Sequence, residues 1–149
     1  MLDYDIYGGH SMLYKSCGWA GLVGLFLKSS EQQWLQSLKE HHQVCMNIPA
    51  SSSQITAWVD SYKTMKNAFN NLQQIKPDST DWSIIFEYEL PRERGRRPDV
   101  LILNSNTILV LEFKGHSTPL QAHLDQVEAY ARDLKTYHAA CHDFEVIPV

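Results

Sequence analysis

The sequence has few cysteines, and none of them lies near another. Cys17, Cys45 and Cys141 are odd in number and widely spaced, and the 149 residues contain no Cys-x-x-Cys pair. This pattern supports neither a zinc ribbon nor a disulfide framework. Reduced cysteines, together with the lack of a signal-peptide pattern, predict a cytoplasmic location.

Long apolar runs and an excess of positive charge are lacking as well. The longest apolar stretch, residues 19–27, is interrupted by glycines and is too short to cross a membrane, so we expect no membrane partner. The formal net charge is −4, which means that any affinity for nucleic acid would depend on a local basic patch. A hydrophobic content of 44% is ordinary for a globular chain, and at this length we predict a single domain over residues 1–149.

The first residues give no clear periodicity, and we expect residues 1–18 to form an irregular segment. Gly9 to Ser16 differs by one residue from a phosphate-binding P-loop. Tyr14 stands where the second glycine would let the backbone curve around phosphate. We interpret the match as a coincidence and expect no hydrolysis of nucleoside triphosphates by this chain alone.

Two helices are predicted in the first half of the chain. Ser30, followed by Gln33, fits a capping box and predicts a helix that fades near His41. Ser53 can cap the second helix. Its apolar stripe is interpreted as core and consists of Ile55, Trp58, Val59, Tyr62, Met65, Phe69 and Leu72. Four histidines are interpreted as surface residues, namely His41, His42, His138 and His142.

A third helix is predicted over about residues 118–140. Thr118 is expected to cap it, with Pro119 at its first position. Apolar residues follow at alternating four- and three-residue spacing as far as Leu134. Residues 145–149 begin another strand. Because a strand rarely ends a domain, we expect the chain to be the front part of a longer polypeptide.

Short apolar runs bounded by turn residues predict three further strands. Residues 82–90 form the first, and a polar loop follows over residues 91–97. The runs 100–103 and 108–111 are apolar on both faces, as in central strands. If Ser105 and Asn106 form a two-residue hairpin loop, the register of these two strands places Asp99 opposite Glu112.

Opposed carboxylates at the end of a buried hairpin need a compensating cation, because like charges about 5 Å apart are destabilising. Lys114 lies two residues after Glu112, so both side chains share one face of the strand and Phe113 faces the other way. A carboxylate pair with an ammonium group beside it can hold a divalent metal and activate water against a phosphodiester. The alternative is a solvated, charged sheet edge with no chemical role.

The loop before Asp99 carries a basic cluster, which could attract phosphate in an otherwise acidic chain. Its members are Arg92, Arg94, Arg96 and Arg97. If the strand over residues 82–90 pairs symmetrically across this loop, Glu89 approaches Asp99. That register adds a third carboxylate to the predicted site.

Three motifs in this order resemble the PD-(D/E)xK nuclease superfamily. They are Pro98-Asp99, Glu112-Phe113-Lys114, and the helical run that begins at Gln126 and ends at Tyr130. The last motif is similar to that of the RecB-like branch. Residues 86–103 and 108–115 resemble more closely the nuclease-like N-terminal region of bacterial proteins with a downstream Schlafen-like DNA/RNA helicase domain. The resemblance covers roughly residues 19–149.

The resemblance implies a role for each matched residue. Asp99 and Glu112 would bind Mg²⁺, or Mn²⁺ in its place, with help from the carbonyl of Phe113. Lys114 would orient or deprotonate the attacking water and offset charge on phosphorus. Gln126 and Tyr130 would position the phosphate or brace Lys114, although plain helix packing would also explain them. The family's additional upstream acid could be Glu89, Glu87 or Glu31, and we favour Glu89 for the register given above.

The expected fold is α/β, with a restriction-endonuclease-like mixed central sheet of about four strands flanked by helices. The N-terminal helices would lie on one side and the 118–140 helix on another. The expected function is metal-dependent cleavage of nucleic acid, DNA rather than RNA, with Arg96 and Arg97 gripping flanking phosphates. A helicase or NTPase could act with it in cis or in trans. The alternative is an inactive nuclease-like module that binds nucleic acid or a partner protein.

Overall fold

The computed structural model describes residues 16–90, 95–114 and 120–149. Residues 1–15, which include all but the last residue of the P-loop-like match, lie outside this part. Arg92, Arg94, Thr118 and Pro119 also lie outside it. Within the described residues, no helix has both the length and the apolar character needed to span a membrane.

A five-stranded mixed sheet forms the centre of the fold, with the strands in chain order. The strands are β1 (Trp19–Leu22), β2 (Ser83–Phe86), β3 (Val100–Leu103), β4 (Thr107–Leu111) and β5 (Glu145–Pro148). Neighbours pair antiparallel except for β4 and β5, which are parallel. The predicted α/β class with a mixed, helix-flanked sheet is therefore confirmed. The strand not foreseen is β1, which forms within the apolar stretch over residues 19–27.

Four helices flank the sheet. They are α1 (Val23–Lys28), α2 (Glu31–Met46), α3 (Ser52–Ile75) and α4 (Gln121–Tyr137). Two short 3-10 helices, Pro77–Asp81 and Ala139–Cys141, lie in the connections before β2 and β5. Helix α4 joins β4 to its parallel neighbour β5, because a parallel pair needs a crossover connection of this length.

The strands bury apolar side chains on both faces, and the helices cover those faces separately. On one face Ile84, Phe86 and Val100 pack with buried residues of α1, α2 and α3, including Phe26 and Trp34. On the other face the buried residues of α4 pack against the sheet, and they are Val127, Tyr130, Ala131 and Leu134. The predicted placement of the N-terminal helices and the last long helix on opposite sides is confirmed.

The stripe of α3 that was interpreted as core is buried at Trp58, Tyr62, Met65 and Phe69, as predicted. The cap of this helix is Ser51, whose side chain accepts a hydrogen bond from the Gln54 amide at 3.2 Å. The prediction that Ser53 caps it was wrong by two residues. Ser51, Ser52 and Ser53 are equally good caps in sequence, so the local pattern does not distinguish them.

Helix α2 begins as predicted and ends later than predicted. The Ser30 hydroxyl accepts a hydrogen bond from the Gln33 amide at 3.2 Å. The helix continues past His41 to Met46 and ends at Asn47, which adopts a left-handed conformation at φ 56°. His41 is only 5% exposed, so its assignment to the surface was wrong. The missed last turn brings Cys45 onto the same helical face as His41.

The β3–β4 hairpin has the predicted register. Val100 pairs with Leu111, and Leu103 pairs with Ile108, around the two-residue loop of Ser105 and Asn106. The Asn104 side chain stabilises this turn by accepting hydrogen bonds from the amides of Asn106 and Thr107, at 3.2 and 3.0 Å.

The register of β2 differs from the symmetric pairing predicted across the 91–97 loop. Phe86 pairs with Val100, so the next residue, Glu87, stands opposite Asp99. The Glu87 amide donates to the Asp99 carbonyl at 3.1 Å. The prediction that Glu89 approaches Asp99 was wrong by two residues, because the polar loop does not close symmetrically.

Candidate functional site

Three carboxylates converge at one end of the sheet. Glu87 follows the last residue of β2, Asp99 precedes the first residue of β3, and Glu112 follows the last residue of β4. The antiparallel pairing brings these positions together, since chain direction reverses from each strand to the next. We call Glu87, Asp99 and Glu112 the acidic cluster.

Asp99 lies at the centre of the cluster. Its Oδ2 accepts a hydrogen bond from the Phe113 amide at 2.7 Å, which fixes the carboxyl group against the end of β4. Burial, and then the negative charge of Glu112, raise the pKa of Asp99 to about 7, although the Phe113 hydrogen bond acts in the opposite direction. A pKa near 7 means that part of the Asp99 carboxyl population holds a proton at neutral pH, and a bound cation would favour the ionised form instead.

Glu112 joins the cluster to Lys114 and to helix α4. Its Oε1 accepts hydrogen bonds from Lys114 Nζ at 2.9 Å and from Gln126 Nε2 at 3.0 Å. Its side chain is 7% exposed. Its other oxygen, Oε2, is buried and receives no hydrogen bond from the residues that the structure describes. A buried carboxylate oxygen without a donor is costly unless it binds something else.

Lys114 and Tyr130 complete the polar network on this face. Gln126 Nε2 also donates to the Tyr130 hydroxyl at 2.8 Å, so the two residues act together on the side of α4 that meets β4. Partial burial lowers the pKa of Lys114, but the hydrogen bond and charge of Glu112 outweigh it and raise that pKa. Lys114 is therefore a cation in this arrangement, which fits charge compensation better than proton abstraction.

Glu87 is the acid that the structure adds to the predicted pair. It is 9% exposed, and its Oε1 accepts a hydrogen bond from Trp58 Nε1 of α3 at 3.0 Å. Burial raises its pKa, and the charge of Glu112 acts in the same direction. Its backbone has φ 54°, a left-handed conformation that costs a non-glycine residue about 1 kcal/mol or more. Such strain concentrates at functional sites.

The two other candidate acids lie apart from the cluster. Glu89 lies beside helix α2, where its Oε2 accepts a hydrogen bond from the Cys45 thiol at 3.6 Å. Glu31 lies in the first turn of α2, at the opposite end of that helix from Cys45. Of the three acids weighed from sequence, Glu87 is the one that the sheet register brings to Asp99.

The two described arginines of the 91–97 loop lie on opposite sides of the acidic cluster. Arg96 stacks over the Tyr130 ring at 5.0 Å and pairs with Asp133 at 3.6 Å, both on α4. Arg97 lies on the α2 side, where its charge acts on Glu87 and Cys45. Its Nη1 is buried and makes no hydrogen bond with the described residues. The structure thus places one cation on each side of the acids.

One group of three donors in the described part of the chain has the geometry to hold a metal ion. It consists of His41, Cys45 and Glu89, whose ligand atoms all lie within 4.8 Å of one another. Neither Cys45 nor His41 was predicted as a ligand, because Cys45 lies far from the other cysteines and His41 was interpreted as a surface residue. The signal that could have revealed the group was the four-residue spacing of His41 and Cys45, which places both on one face of a helix.

A large pocket among the described residues lies away from the acidic cluster. It has a volume of about 950 Å³ and lies toward the opposite ends of β2 and β3, where it is lined by residues such as Leu22, Leu103, Ser105 and Phe144. Its lining is mainly apolar and includes none of the three acids. Charge and hydrogen bonding, rather than cavity size, therefore identify the candidate site.

Comparison of the chain with protein-family models, with curated proteins and with solved structures found no match.

Proposed function

We propose that the chain is a metal-dependent nuclease that hydrolyses phosphodiester bonds of nucleic acid at the acidic cluster. The observation that carries this proposal is the environment of Glu112. One of its oxygens accepts hydrogen bonds from Lys114 and Gln126, and the other is buried without a donor from the described residues. The charge of Glu112 also helps to raise the pKa of Asp99. Asp99 and Glu112 would hold a divalent cation, whose charge would compensate both carboxylates.

The donor set fits a hard cation such as Mg²⁺. Asp99 and Glu112 offer carboxylate oxygens, the ligands that Mg²⁺ and Mn²⁺ prefer. The backbone carbonyl of Phe113, predicted as a further ligand, would add a third oxygen. The Phe113 amide contacts Asp99, so this backbone lies beside the proposed ligands. Glu87 would take the place first given to Glu89, as an acid close to the ligands. When bound, Mg²⁺ would lower the pKa of a water molecule and neutralise charge on the phosphate.

The remaining side chains supply positioning and charge. Lys114, held against Glu112, would offset the negative charge that builds on the phosphoryl oxygens as a water oxygen bonds to phosphorus and the ester P–O bond breaks. The attacking water would lose its proton to solvent, and the leaving oxygen would take one up from solvent. Gln126 and Tyr130 would hold Glu112 and Lys114 in place from α4. Arg96 and Arg97 would contact flanking phosphates, which gives affinity without sequence readout.

The resemblance to the PD-(D/E)xK superfamily supports the same proposal from sequence. Its motif residues Asp99, Glu112, Lys114, Gln126 and Tyr130 are those joined by the hydrogen bonds and charges described above. By the same resemblance we propose DNA as the substrate and a helicase or NTPase, in cis or in trans, as a partner. Arg92 and Arg94 would extend the phosphate-binding surface.

A second candidate function rests on the hydrogen bonds already present. Glu112 Oε1 has two donors and Asp99 Oδ2 has one, so the cluster also resembles a polar network that stabilises the end of the sheet. In that case the chain would be an inactive nuclease-like module that binds nucleic acid or a partner protein through Arg96 and Arg97.

A cleavage assay separates the two candidates. Single- and double-stranded DNA and RNA are incubated with the protein in Mg²⁺, Mn²⁺ or EDTA. The wild type is compared with Glu112→Gln and Lys114→Ala, and Glu128→Gln serves as the control because Glu128 is exposed on α4. The nuclease predicts metal-dependent cutting that both cluster variants lose and the control keeps. The inactive module would be supported instead if the wild type binds nucleic acid but neither cuts it nor binds Mg²⁺.

A further inference from the structure

The last turn of α2 and the segment after β2 bring three different metal ligands together, away from the proposed nuclease chemistry. His41 and Cys45 lie four residues apart on α2, and Glu89 approaches them from the segment that follows Glu87. Cys45 Sγ lies 3.3 Å from His41 Nε2 and 3.6 Å from Glu89 Oε2. These contacts join a helix to the sheet region across 44 residues of sequence.

The distances match those of ligands around a tetrahedral zinc ion. Zn–S bonds of about 2.3 Å and Zn–N or Zn–O bonds of about 2.0–2.1 Å, opened to a tetrahedral angle, separate sulfur from nitrogen or oxygen by about 3.5 Å. The observed separations of 3.3 and 3.6 Å lie on either side of this value. An ion could therefore bind with small movements of the three side chains.

The charges of the three ligands also suit a divalent ion. A thiolate, a carboxylate and a neutral imidazole carry two negative charges, so the three ligands and one Zn²⁺ sum to zero charge. The Arg97 guanidinium adds a positive charge that also acts on Cys45 and favours its thiolate. Neutrality matters here because His41 is buried and the other two residues are half-buried, where an uncompensated charge is costly. The sulfur and nitrogen donors select zinc over magnesium, which prefers oxygen ligands.

We propose that His41, Cys45 and Glu89 form a zinc site, distinct in position and chemistry from the acidic cluster. Binding breaks the S–H bond of Cys45, forms a Zn–S bond and releases the thiol proton to solvent. Three protein ligands leave the fourth tetrahedral position to a water molecule or a ligand. The ion also fastens the end of α2 to the chain two residues beyond Glu87. The inference does not depend on the proposed nuclease activity.

Metal substitution tests the site directly. The metal-stripped protein is titrated with Co²⁺, which is expected to give a near-ultraviolet thiolate charge-transfer band and intense tetrahedral d–d bands. These bands should saturate at one Co²⁺ per chain in the presence of excess Mg²⁺, which would occupy the oxygen ligands of the acidic cluster. Zn²⁺ should displace this Co²⁺, and excess Mg²⁺ should not. Wild-type protein that gives only the weak spectrum of hexaaqua Co²⁺ would overturn the proposal.

Variants identify the ligands. Removing a residue that only hydrogen-bonds to a metal ligand typically lowers metal affinity about 10- to 100-fold. Cys45 and Glu89 are proposed as ligands themselves, so Cys45→Ser and Glu89→Gln should lower Zn²⁺ affinity by at least that factor. Cys45→Ser should also abolish the charge-transfer band. His42→Gln is the matched control, since His42 neighbours His41 but packs against the Trp58 ring. Circular dichroism verifies that each variant is folded. An unchanged band in folded Cys45→Ser would overturn the assignment.

Discussion

The Gln126 side chain connects helix α4 to the acidic end of β4, because its Nε2 donates to Glu112 Oε1 at 3.0 Å. The same nitrogen donates to the Tyr130 hydroxyl at 2.8 Å. Gln126→Leu should remove both bonds and leave Glu112 held by Lys114 alone. Hydrogen bonds to charged groups contribute about 1.5–3 kcal/mol, so we expect a loss of about 2 kcal/mol in the free energy of unfolding by urea.

Gln121→Leu is the control for that measurement, since Gln121 bonds the exposed Asp125 on the same helix. An exposed pair at this spacing contributes only about 0.2–0.5 kcal/mol. Equal losses in the two variants would contradict a specific role for Gln126.

The raised pKa of Asp99 predicts that the metal-free protein becomes less stable as pH rises. The folded carboxyl has a pKa of about 7, against an ordinary value of 3.8. The folded state therefore holds this proton more tightly than the unfolded state, a stabilisation present below about pH 4 and lost as pH rises through 7. At about 1.4 kcal/mol per pH unit, the contribution is on the order of 4 kcal/mol.

Unfolding of the wild type and Asp99→Asn by urea in EDTA, from pH 4 to 8, measures this contribution. The side chain introduced by Asp99→Asn cannot ionise, so the free energy of unfolding of this variant should rise relative to that of the wild type as pH increases from 4 to 8. Glu87 also has a raised pKa, but both proteins retain it, so its contribution to the pH dependence cancels when the two free energies of unfolding are subtracted. A constant difference at all pH values would contradict the raised pKa.

Metal binding should distinguish Glu87 from Glu89, two of the three acids that the sequence left open. Mg²⁺ at about 100 times its dissociation constant should stabilise the wild type by about 2.7 kcal/mol, measured as a rise in melting temperature. Glu112→Gln should abolish this rise, and Glu87→Gln should reduce it. Glu89→Gln should leave it unchanged, because Glu89 faces Cys45. A rise that depends on Glu89 and not on Glu87 would support the register predicted from sequence.

The Trp58 indole holds Glu87 in place through its 3.0 Å hydrogen bond. Trp58→Phe keeps an aromatic ring in the core but leaves a buried carboxyl without this donor, which should cost about 1–3 kcal/mol. Thermal unfolding measures the loss. In the double variant with Glu87→Gln the cost of losing Trp58 should shrink, because a neutral amide is less costly to bury. Strictly additive losses would show that the contact contributes nothing of its own.

Local patterns predicted the parts of the site that lie within one hairpin. The turn residues between β3 and β4 fix the register, and that register alone brings Asp99 opposite Glu112. Alternation along β4 then places Lys114 beside Glu112, where the structure has their ion pair. The helical spacing of Gln126 and Tyr130 likewise predicts their shared face.

Local sequence patterns could not predict the contacts between segments that longer loops separate. A polar loop separates β2 from β3 and can close in more than one register, so Glu87 and Glu89 could not be distinguished. Glu87 has a left-handed backbone, and beyond it Tyr88 and Leu90 pack on the α4 side of the sheet, whereas Phe86 packs on the other side. Regular alternation along a strand would have kept all three on one side. The approach of Glu89 to Cys45 depends on how α2 packs, which no local pattern specifies.

The two-residue loop between β3 and β4 has a consequence for how the molecule folds. Such a short loop closes with little loss of chain entropy, and hairpins form within microseconds, so we expect Asp99 and Glu112 to meet early. Gln126 reaches them only after α4 has crossed to pair β5 with β4. The two carboxylates therefore repel each other before Gln126 has bonded to Glu112. This repulsion should slow folding more than it speeds unfolding.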